Sequence, residues 1–366
     1  MLSASELERY RPHLTLPGFG RAAQERLKAG RVLVIGAGGL GCPALLYLAA
    51  AGMGKITVID PDRVEASNLQ RQVLYGVADI GALKIEVAGL RLRAQNPWVT
   101  VVGLAERFGR HNALELVRAS DVVIDGSDNF ATRYLVNDAC VMADRPFVYG
   151  AISGFDGQLS VFNWRGGPTY RCLFPTPPPP ELAPNCAQAG VLGVLPGVVG
   201  TWQAAEAIKI VSGVGEPMAG RLLLWNALTM RSQSVALVPE PSSRPILALP
   251  ADVAAPPCAS ARAEIDVEEM QAMLQVGPLQ LLDVREASER AHAAITPSAH
   301  VPLPLLEEPD ADRYLAGLRP ELPTVVYCAA GVRSLRAVAI LRAKHGFTAV
   351  RSLRGGIAAW LAAAGS

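Results

Sequence analysis

The chain has 366 residues, half of them hydrophobic, and 34 Lys and Arg against 33 Asp and Glu leave a formal charge of +1. That length suggests about two or three domains with a large core, and the charge balance excludes a disordered chain or a nucleic-acid binder that works by charge. Expected partners are therefore proteins and small molecules. The N-terminus holds no apolar core for a signal peptide and no run is long enough to span a membrane, so the expected location is the cytoplasm. Six cysteines, at positions 42, 140, 172, 186, 258 and 328, lack a framework spacing and read as free thiols.

Residues 5–30 read as charged helix broken at Leu16-Pro17-Gly18-Phe19-Gly20, a leader to the apolar strand Arg31-Val32-Leu33-Val34-Ile35. Gly36-Ala37-Gly38-Gly39-Leu40-Gly41 comes next and opens into a helical run from Cys42. A strand, a glycine turn and a helix start make a phosphate cradle, because glycines let backbone N–H groups approach an anion and the helix N-terminus favours negative charge. Asp60 closes the strand Lys55–Ile59 at the separation expected of an acid that binds a ribose. By itself this unit fits a nicotinamide dehydrogenase as well as an ATP-using enzyme.

From Pro61 to Gln72 neither period is present, which predicts a polar loop at the carboxyl edge of the sheet, where open α/β sheets bind ligands. A helix at about Lys84–Ala94, a strand near Val99–Leu104, a helix Ala113–Ala119 and the strand Val122–Asp125 continue a parallel sheet. Asp128 and Asn129 follow that last strand directly. A helix Thr132–Met142 and a strand Phe147–Ala151 come next, then β-rich segments at Gln158–Asn163, Arg221–Trp225 and Gln233–Val238. Between them lie Pro175-Thr176-Pro177-Pro178-Pro179-Pro180 and Pro184-Asn185-Cys186-Ala187, kept irregular by proline. The run from Gly190 to Ser212 is predicted as a helix pair broken at Pro196. Composition shifts at Pro239–Ala263, giving a first domain over 1–240, a linker over 241–262 and a second over 263–366. Strands at Leu279–Val284, Val325–Tyr327 and Val350–Leu353 make that second domain a smaller α/β unit.

Gly36-Ala37-Gly38-Gly39-Leu40-Gly41-Cys42-Pro43, Ser67-Asn68-Leu69-Gln70-Arg71-Gln72, Lys84, Asp125-Gly126-Ser127-Asp128-Asn129 and Asn185-Cys186-Ala187 together resemble the MoeB/ThiF family, bacterial relatives of ubiquitin-activating enzymes, over roughly residues 9–240. The resemblance implies a Rossmann-like ATP-binding domain with a large mixed sheet. It also implies adenylation of the C-terminal glycine of a ubiquitin-like sulfur carrier ending in Gly-Gly, with ATP and Mg²⁺. The implied ATP-binding residues are Gly38, Gly39, Gly41, Asp60 on the ribose, Ser67, Asn68, Arg71, Lys84, Asp128 and Asn129. Adenylation needs an electrophilic α-phosphate and a neutralised pyrophosphate, so Arg71 and Lys84 are expected on phosphates and Asp128 on Mg²⁺. In relatives the cysteine matching Cys186 is implicated in a thioester or persulfide link to the carrier; the plain alternative is a small buried hydrophobe. Relatives are homodimers, and the apolar run Val191–Val199 could support that.

Two departures stand out. Relatives hold a structural zinc with paired Cys-x-x-Cys motifs, whereas this chain reads Thr169-Tyr170-Arg171-Cys172 and Pro241-Ser242-Ser243-Arg244-Pro245, with Cys258 further on. Two thiolates cannot close a tetrahedral structural site, so no zinc is predicted and the region is expected to hold by packing alone. Relatives also read Arg-Tyr-Ser-Arg-His near the N-terminus, the later arginine reaching the neighbouring subunit's ATP. Here Arg9-Tyr10-Arg11-Pro12-His13 puts Pro12 in that place, so either Arg11 substitutes with a shifted reach or the contact is lost.

In the second domain, Leu281-Leu282-Asp283-Val284-Arg285-Glu286, Val325-Val326-Tyr327-Cys328-Ala329-Ala330-Gly331-Val332-Arg333-Ser334 and Gly355-Gly356-Ile357-Ala358-Ala359-Trp360 resemble a rhodanese domain. A cysteine between a strand end and a helix start faces several backbone N–H groups, which favours a thiolate or persulfide. Cys328 is the expected sulfane-sulfur carrier, Gly331 part of its loop, Arg333 its electrostatic closure, and Asp283 and Arg285 the scaffold that orients Arg333. Ala329-Ala330 lacks the basic residue common in relatives, which predicts weak use of thiosulfate and favours a cysteine desulfurase as donor. Two rival readings remain. A nicotinamide oxidoreductase explains Gly36–Gly41 and Asp60 but not Arg71, Lys84, Asp128 or the second domain, and a non-catalytic carrier-binding scaffold fits the lost zinc ligands and Pro12. The sequence does not say whether molybdopterin, thiamine, tRNA thiolation or cysteine synthesis is served.

Overall fold

Strand β1, Arg31–Ile35, is apolar on both faces because both are covered. Val32 and Val34 pack with Leu45, Leu48, Ile56 and Val58 on one side, while Leu33 and Ile35 pack with Val123, Tyr134 and Phe147 on the other. Each buried Val, Leu or Ile contributes roughly 1.5–3 kcal/mol relative to exposure, so an alternating polar strand could not occupy this centre. A computed structural model describes residues 1–176, 191–249, 264–308 and 310–364, and the chain divides into two compact units, Met1–Val253 and Ala254–Ser366.

In the first unit β1 pairs in parallel with β2 (Lys55–Ile59) on one side and β4 (Val122–Asp125) on the other. The chain reaches β3 (Thr100–Leu104) beyond β2, then β5 (Phe147–Ser153) beyond β4. Strands β6 (Asp156–Phe162), β7 (Arg221–Asn226) and β8 (Ser232–Ala236) add on antiparallel, giving the order β3-β2-β1-β4-β5-β6-β7-β8. The sheet is therefore mixed, as expected. Because connections leave β1 in opposite directions to β2 and β4, a crevice opens at its carboxyl end. The glycine turn sits in that crevice.

The expected helix pair after Gly190 is a single helix, Val194–Ser212. Pro196 falls in its first turn, where the missing N–H would have had no helical partner. This helix lies against the glycine turn so closely that a Cβ on Gly200 would come 2.2 Å from the Leu40 carbonyl oxygen. Its buried Gln203 donates to the Asp125 carbonyl at 2.7 Å and the Val148 carbonyl at 3.2 Å, tying helix to sheet. Of the apolar run Val191–Val199, Leu195 and Val199 are core and Leu192 and Val194 are exposed. Among the described residues no helix is long and apolar enough to cross a membrane.

Residues 241–249, expected to begin the linker, fold against the first unit: Pro241–Ser243 forms a short 3-10 helix and the Arg244 guanidinium donates to the Asn163 side chain and the Gly167 carbonyl. The second unit is a parallel sheet ordered β11-β10-β12-β13-β9, built from β9 (Glu264–Ile265), β10 (Gln280–Asp283), β11 (Ala299–His300), β12 (Thr324–Tyr327) and β13 (Val350–Leu353). Helix Val332–Lys344 starts four residues after Cys328 and packs on β12 and β13.

Candidate active sites

The four glycines of the turn do different work. Gly36 has φ +91°, a region that favours glycine, and a Cβ there would sit 2.9 Å from the Gly126 carbonyl oxygen in the loop after β4. A Cβ on Gly41 would come 1.9 Å from the Gly36 carbonyl oxygen, so this glycine lets the helix start touch the strand end. Gly39 packs on Pro196, with the Arg71 side chain beside it. Only Gly38 opens outward, where a Cβ would meet nothing nearer than the Gln72 amide nitrogen at 3.6 Å.

Asp60 holds this turn in place. One carboxylate oxygen accepts from the Ala37 N–H at 2.7 Å and the other from the Asp62 N–H at 2.8 Å, with the side chain buried. Burial pushes its pKa up, opposed by the Lys84 ammonium and those two N–H groups. Lys84, also buried, lies 2.8 Å from Asp62 Oδ2 and 4.0 Å from Asp60 Oδ2. Arg71 donates to the Ser67 carbonyl at 3.0 Å. The Ser67 hydroxyl donates to Glu65, and Asn68 receives the Glu65 N–H at 3.3 Å, so both staple their own turn. Asp128 is exposed in the loop that Gly126 presses against Gly36. Asn129 caps helix Phe130–Met142 through the Thr132 N–H at 2.9 Å.

Three neighbours escaped the sequence reading. Gln72 is 4% exposed, its amide nitrogen faces Gly38, and its Oε1 has no hydrogen-bond partner among the described residues. Tyr75 donates to the Ala37 carbonyl at 2.8 Å, and Asp62 holds Lys84. Asp62 and Gln72 lay in the expected polar loop, and Gln72 also in the motif Ser67–Gln72, while Tyr75, just beyond the loop, carried no signal in the sequence. A buried amide oxygen without a partner is costly, and beside an open glycine it fits a ligand that brings an N–H or O–H donor. Among the described residues no three His, Cys, Asp or Glu side chains converge, so a divalent ion held by Asp128 would need phosphate oxygens to complete its shell.

Cys328 directly follows β12 and is 2% exposed. Its Sγ accepts the Gly331 N–H at 3.1 Å and lies 3.5 Å from the Ser334 hydroxyl. Burial pushes the thiol up, yet the Ser334 hydroxyl and the N–H groups of Ser334, Ala330 and Gly331 pull it further down, leaving it below its ordinary value. Gly331, at φ +98°, makes the turn that aims those groups inward. Arg333 forms a two-pronged pair with Glu289, both contacts 2.6 Å, and this holds the Glu289 carboxyl at about 2. Asp283 and Arg285 pair with each other at 2.7 and 2.9 Å and do not orient Arg333 directly. Their link to it runs by way of Glu289, whose carbonyl accepts from Arg285 at 3.3 Å.

The region of the lost zinc motif is held by more than packing. Cys172 Sγ receives the Thr169 N–H at 3.2 Å and the Glu240 N–H at 3.3 Å, with the Ser243 and Thr169 hydroxyls at 3.3 and 3.4 Å. Arg11 and Pro12 are exposed in the short helix Arg11–Leu14. Cys186, Asn185 and Cys258 lie outside the described residues.

A glycine-cradle nucleotide site on a mixed sheet, with a thiolate-stabilising loop in a second unit of the same chain, defines an adenylating enzyme joined to a sulfur-transfer domain. The ThiF family pattern matches residues 10–245 and the rhodanese-like domain pattern residues 266–363, and the chain belongs to the ThiF family, in the subgroup that carries a C-terminal rhodanese-like domain. It is 43% identical over 374 residues to the probable adenylyltransferase/sulfurtransferase MoeZ of Mycobacterium tuberculosis, covering 98% of this chain and 94% of that protein. Mouse adenylyltransferase and sulfurtransferase MOCS3 is 40% identical over 99% of this chain and 86% of its own length. The sulfur carrier protein adenylyltransferase of Thermus thermophilus is 55% identical over 61% of this chain and 84% of that protein. Like its full-length relatives, the chain is an adenylyltransferase and sulfurtransferase. Among solved structures, E. coli MccB in complex with MccA-N7isoASN matches in fold with a TM-score of 0.57 at 23% identity, over 66% of this chain and 74% of that one.

Proposed function

We propose that the first unit binds Mg·ATP in the glycine cradle and adenylates the terminal glycine of a ubiquitin-like sulfur carrier, and that Cys328 supplies the sulfur that turns the activated carboxylate into a thiocarboxylate. The observation that carries this reading is the open Gly38 face beside Gln72, with Arg71 against the adjacent Gly39 and Lys84 4.0 Å from the Asp60 carboxylate that binds the turn. Backbone N–H groups of the turn and the start of helix Gly41–Ala51 take phosphate charge. Lys84 exchanges Asp62 for phosphate oxygen and Arg71 swings from the Ser67 carbonyl, so that both neutralise pyrophosphate as it leaves. Asp60 keeps the turn closed and offers its remaining lone pairs to ribose hydroxyls. Asp128 holds the magnesium ion, which when bound would withdraw charge from the phosphates.

The carrier's carboxylate attacks the α-phosphorus and pyrophosphate departs; the outer sulfur of the Cys328 persulfide then attacks the acyl carbon and AMP leaves, giving an acyl disulfide on Cys328, whose loop stabilises the sulfur anion through backbone N–H groups. The Cys186 thiolate then attacks the Cys328 sulfur, the thiocarboxylate leaves with the electron pair, and a thiol reductant reopens the resulting Cys186–Cys328 disulfide for the next turnover. A persulfide-bearing cysteine desulfurase is the proposed donor, and a homodimer the proposed assembly, in the cytoplasm. ATP–pyrophosphate exchange in the presence of candidate carriers tests the reading. Exchange that depends on a carrier ending in Gly-Gly is expected; its absence with every such carrier would overturn it.

A further inference from the structure

The loop of Cys328 holds one cation, Arg333, since Ala329, Ala330, Gly331 and Val332 carry no charge. One N–H of each terminal guanidinium nitrogen is bound to Glu289 at 2.6 Å, so the two-pronged end face of Arg333 is taken and its charge offset, with the two side chains equally exposed. Glu289 is itself fixed: its carboxylate accepts the Glu286 N–H at 3.1 Å, and its carbonyl takes a hydrogen bond from Arg285, which is locked to Asp283. Glu286 adds a second negative charge that acts on Arg333. The thiol pocket is thus lined by N–H dipoles, while its rim is neutral to slightly negative.

We propose that Glu289 is the residue that sets donor selectivity: by occupying Arg333 it withholds the loop's only cation from small dianionic donors of the thiosulfate type, and so leaves Cys328 to a donor that presents a sulfane sulfur without such a charge. This rests on Cys328 being the sulfur carrier, as argued above. In the disfavoured reaction the Cys328 thiolate attacks the outer sulfur of thiosulfate, the S–S bond breaks, and sulfite leaves with the electron pair. Cyanide then removes the outer sulfur as thiocyanate and restores the thiolate, so no outside oxidant or reductant is needed. Arg333 with its end face free would bind the sulfonate end of thiosulfate in two-pronged fashion and lower its KM, whereas the paired Arg333 has that face taken and its charge offset by Glu289.

The test uses the full chain and two readouts. Glu289→Gln should raise kcat/KM for thiosulfate with cyanide by about tenfold or more through a lower KM, the size of one freed charge-assisted hydrogen bond. The same variant should raise the rate of Cys328 alkylation by iodoacetate relative to neutral iodoacetamide, and the double variant Glu289→Gln/Arg333→Gln should lose both gains. Arg333→Gln alone leaves Glu289 unpaired and should lower the iodoacetate ratio below wild type. An unchanged ratio and KM in Glu289→Gln, or gains that survive in the double variant, would overturn the proposal. Failure of Cys328 to accept sulfur from any donor would instead overturn its role as carrier, and the alkylation ratio would still read the charge at the rim.

Discussion

A methyl group on residue 41 would lie 1.9 Å from the Gly36 carbonyl oxygen and 2.9 Å from its carbon, both backbone atoms with no side chain to yield. Alanine favours a helix by about 1 kcal/mol over glycine, but that gain is small against forcing strand end and helix start apart. Overpacking of this kind costs about 1–3 kcal/mol, or more where backbone must move. Gly41→Ala is therefore expected to lower the unfolding midpoint in urea and to displace the N–H groups of the cradle. Losing one charge-assisted hydrogen bond to phosphate, about 1.5–3 kcal/mol, weakens ATP roughly tenfold to a hundredfold. Gly38→Ala is the counterpart: its Cβ meets only the Gln72 amide at 3.6 Å, so stability should hold while ATP affinity falls. Titration calorimetry with ATP and urea unfolding on both variants measure the two effects. Wild-type stability and affinity in Gly41→Ala, or full ATP affinity in Gly38→Ala, would refute this assignment of the turn.

The pH dependence of Cys328 alkylation should show a midpoint below the ordinary thiol value of about 8.5, because N–H and hydroxyl donors outweigh burial there. Ser334→Ala should move that midpoint upward, while Cys42, pushed up to about 12 by burial, stays unreactive; an unmoved midpoint contradicts the donor role of Ser334. Arg285→Ala leaves the fully buried Asp283 carboxylate with Arg290, 3.3 Å away, as its remaining ion-pair partner and should destabilise the second unit in thermal unfolding, by less than the about 3–5 kcal/mol of a wholly unpaired buried charge. Burial raises the Asp283 pKa, but the Arg285 pair lowers it to a net value below normal. Its stabilisation is therefore complete above the unfolded carboxylate value of about 4 and lost as pH falls through the folded value. In the Arg285 variant this acid-sensitive contribution should shrink, and an identical acid profile would speak against the pair.

Strands β1 and β4 were legible from the continuous apolar runs Val32–Ile35 and Val122–Ile124, the mark of a strand covered on both faces, and β2 from its β-branched residues Ile56-Thr57-Val58-Ile59. The two-residue strands β9 and β11 were not, since two residues carry no period. Pro196 misled because a proline reads as a break unless the helix start is known, and that start was obscured by an apolar run with no capping residue. For the site, glycine spacing located the cradle, yet which glycine faces ligand and which merely permits packing depends on Gly126 and Pro196, remote in sequence. Asn129 illustrates a similar limit: the residue expected on the nucleotide caps a helix. Glu289 was invisible for the same reason, being 44 residues from the arginine it binds.

The most direct measurement is a single-turnover reaction with the persulfide of Cys328 preformed, Mg·ATP, and a purified ubiquitin-like carrier ending in Gly-Gly, read by intact mass. The account predicts a carrier mass raised by exchange of one oxygen for sulfur, dependent on ATP and lost in Cys328→Ser and in Lys84→Met. A thiocarboxylate that forms without ATP, or equally well in Cys328→Ser, would contradict it.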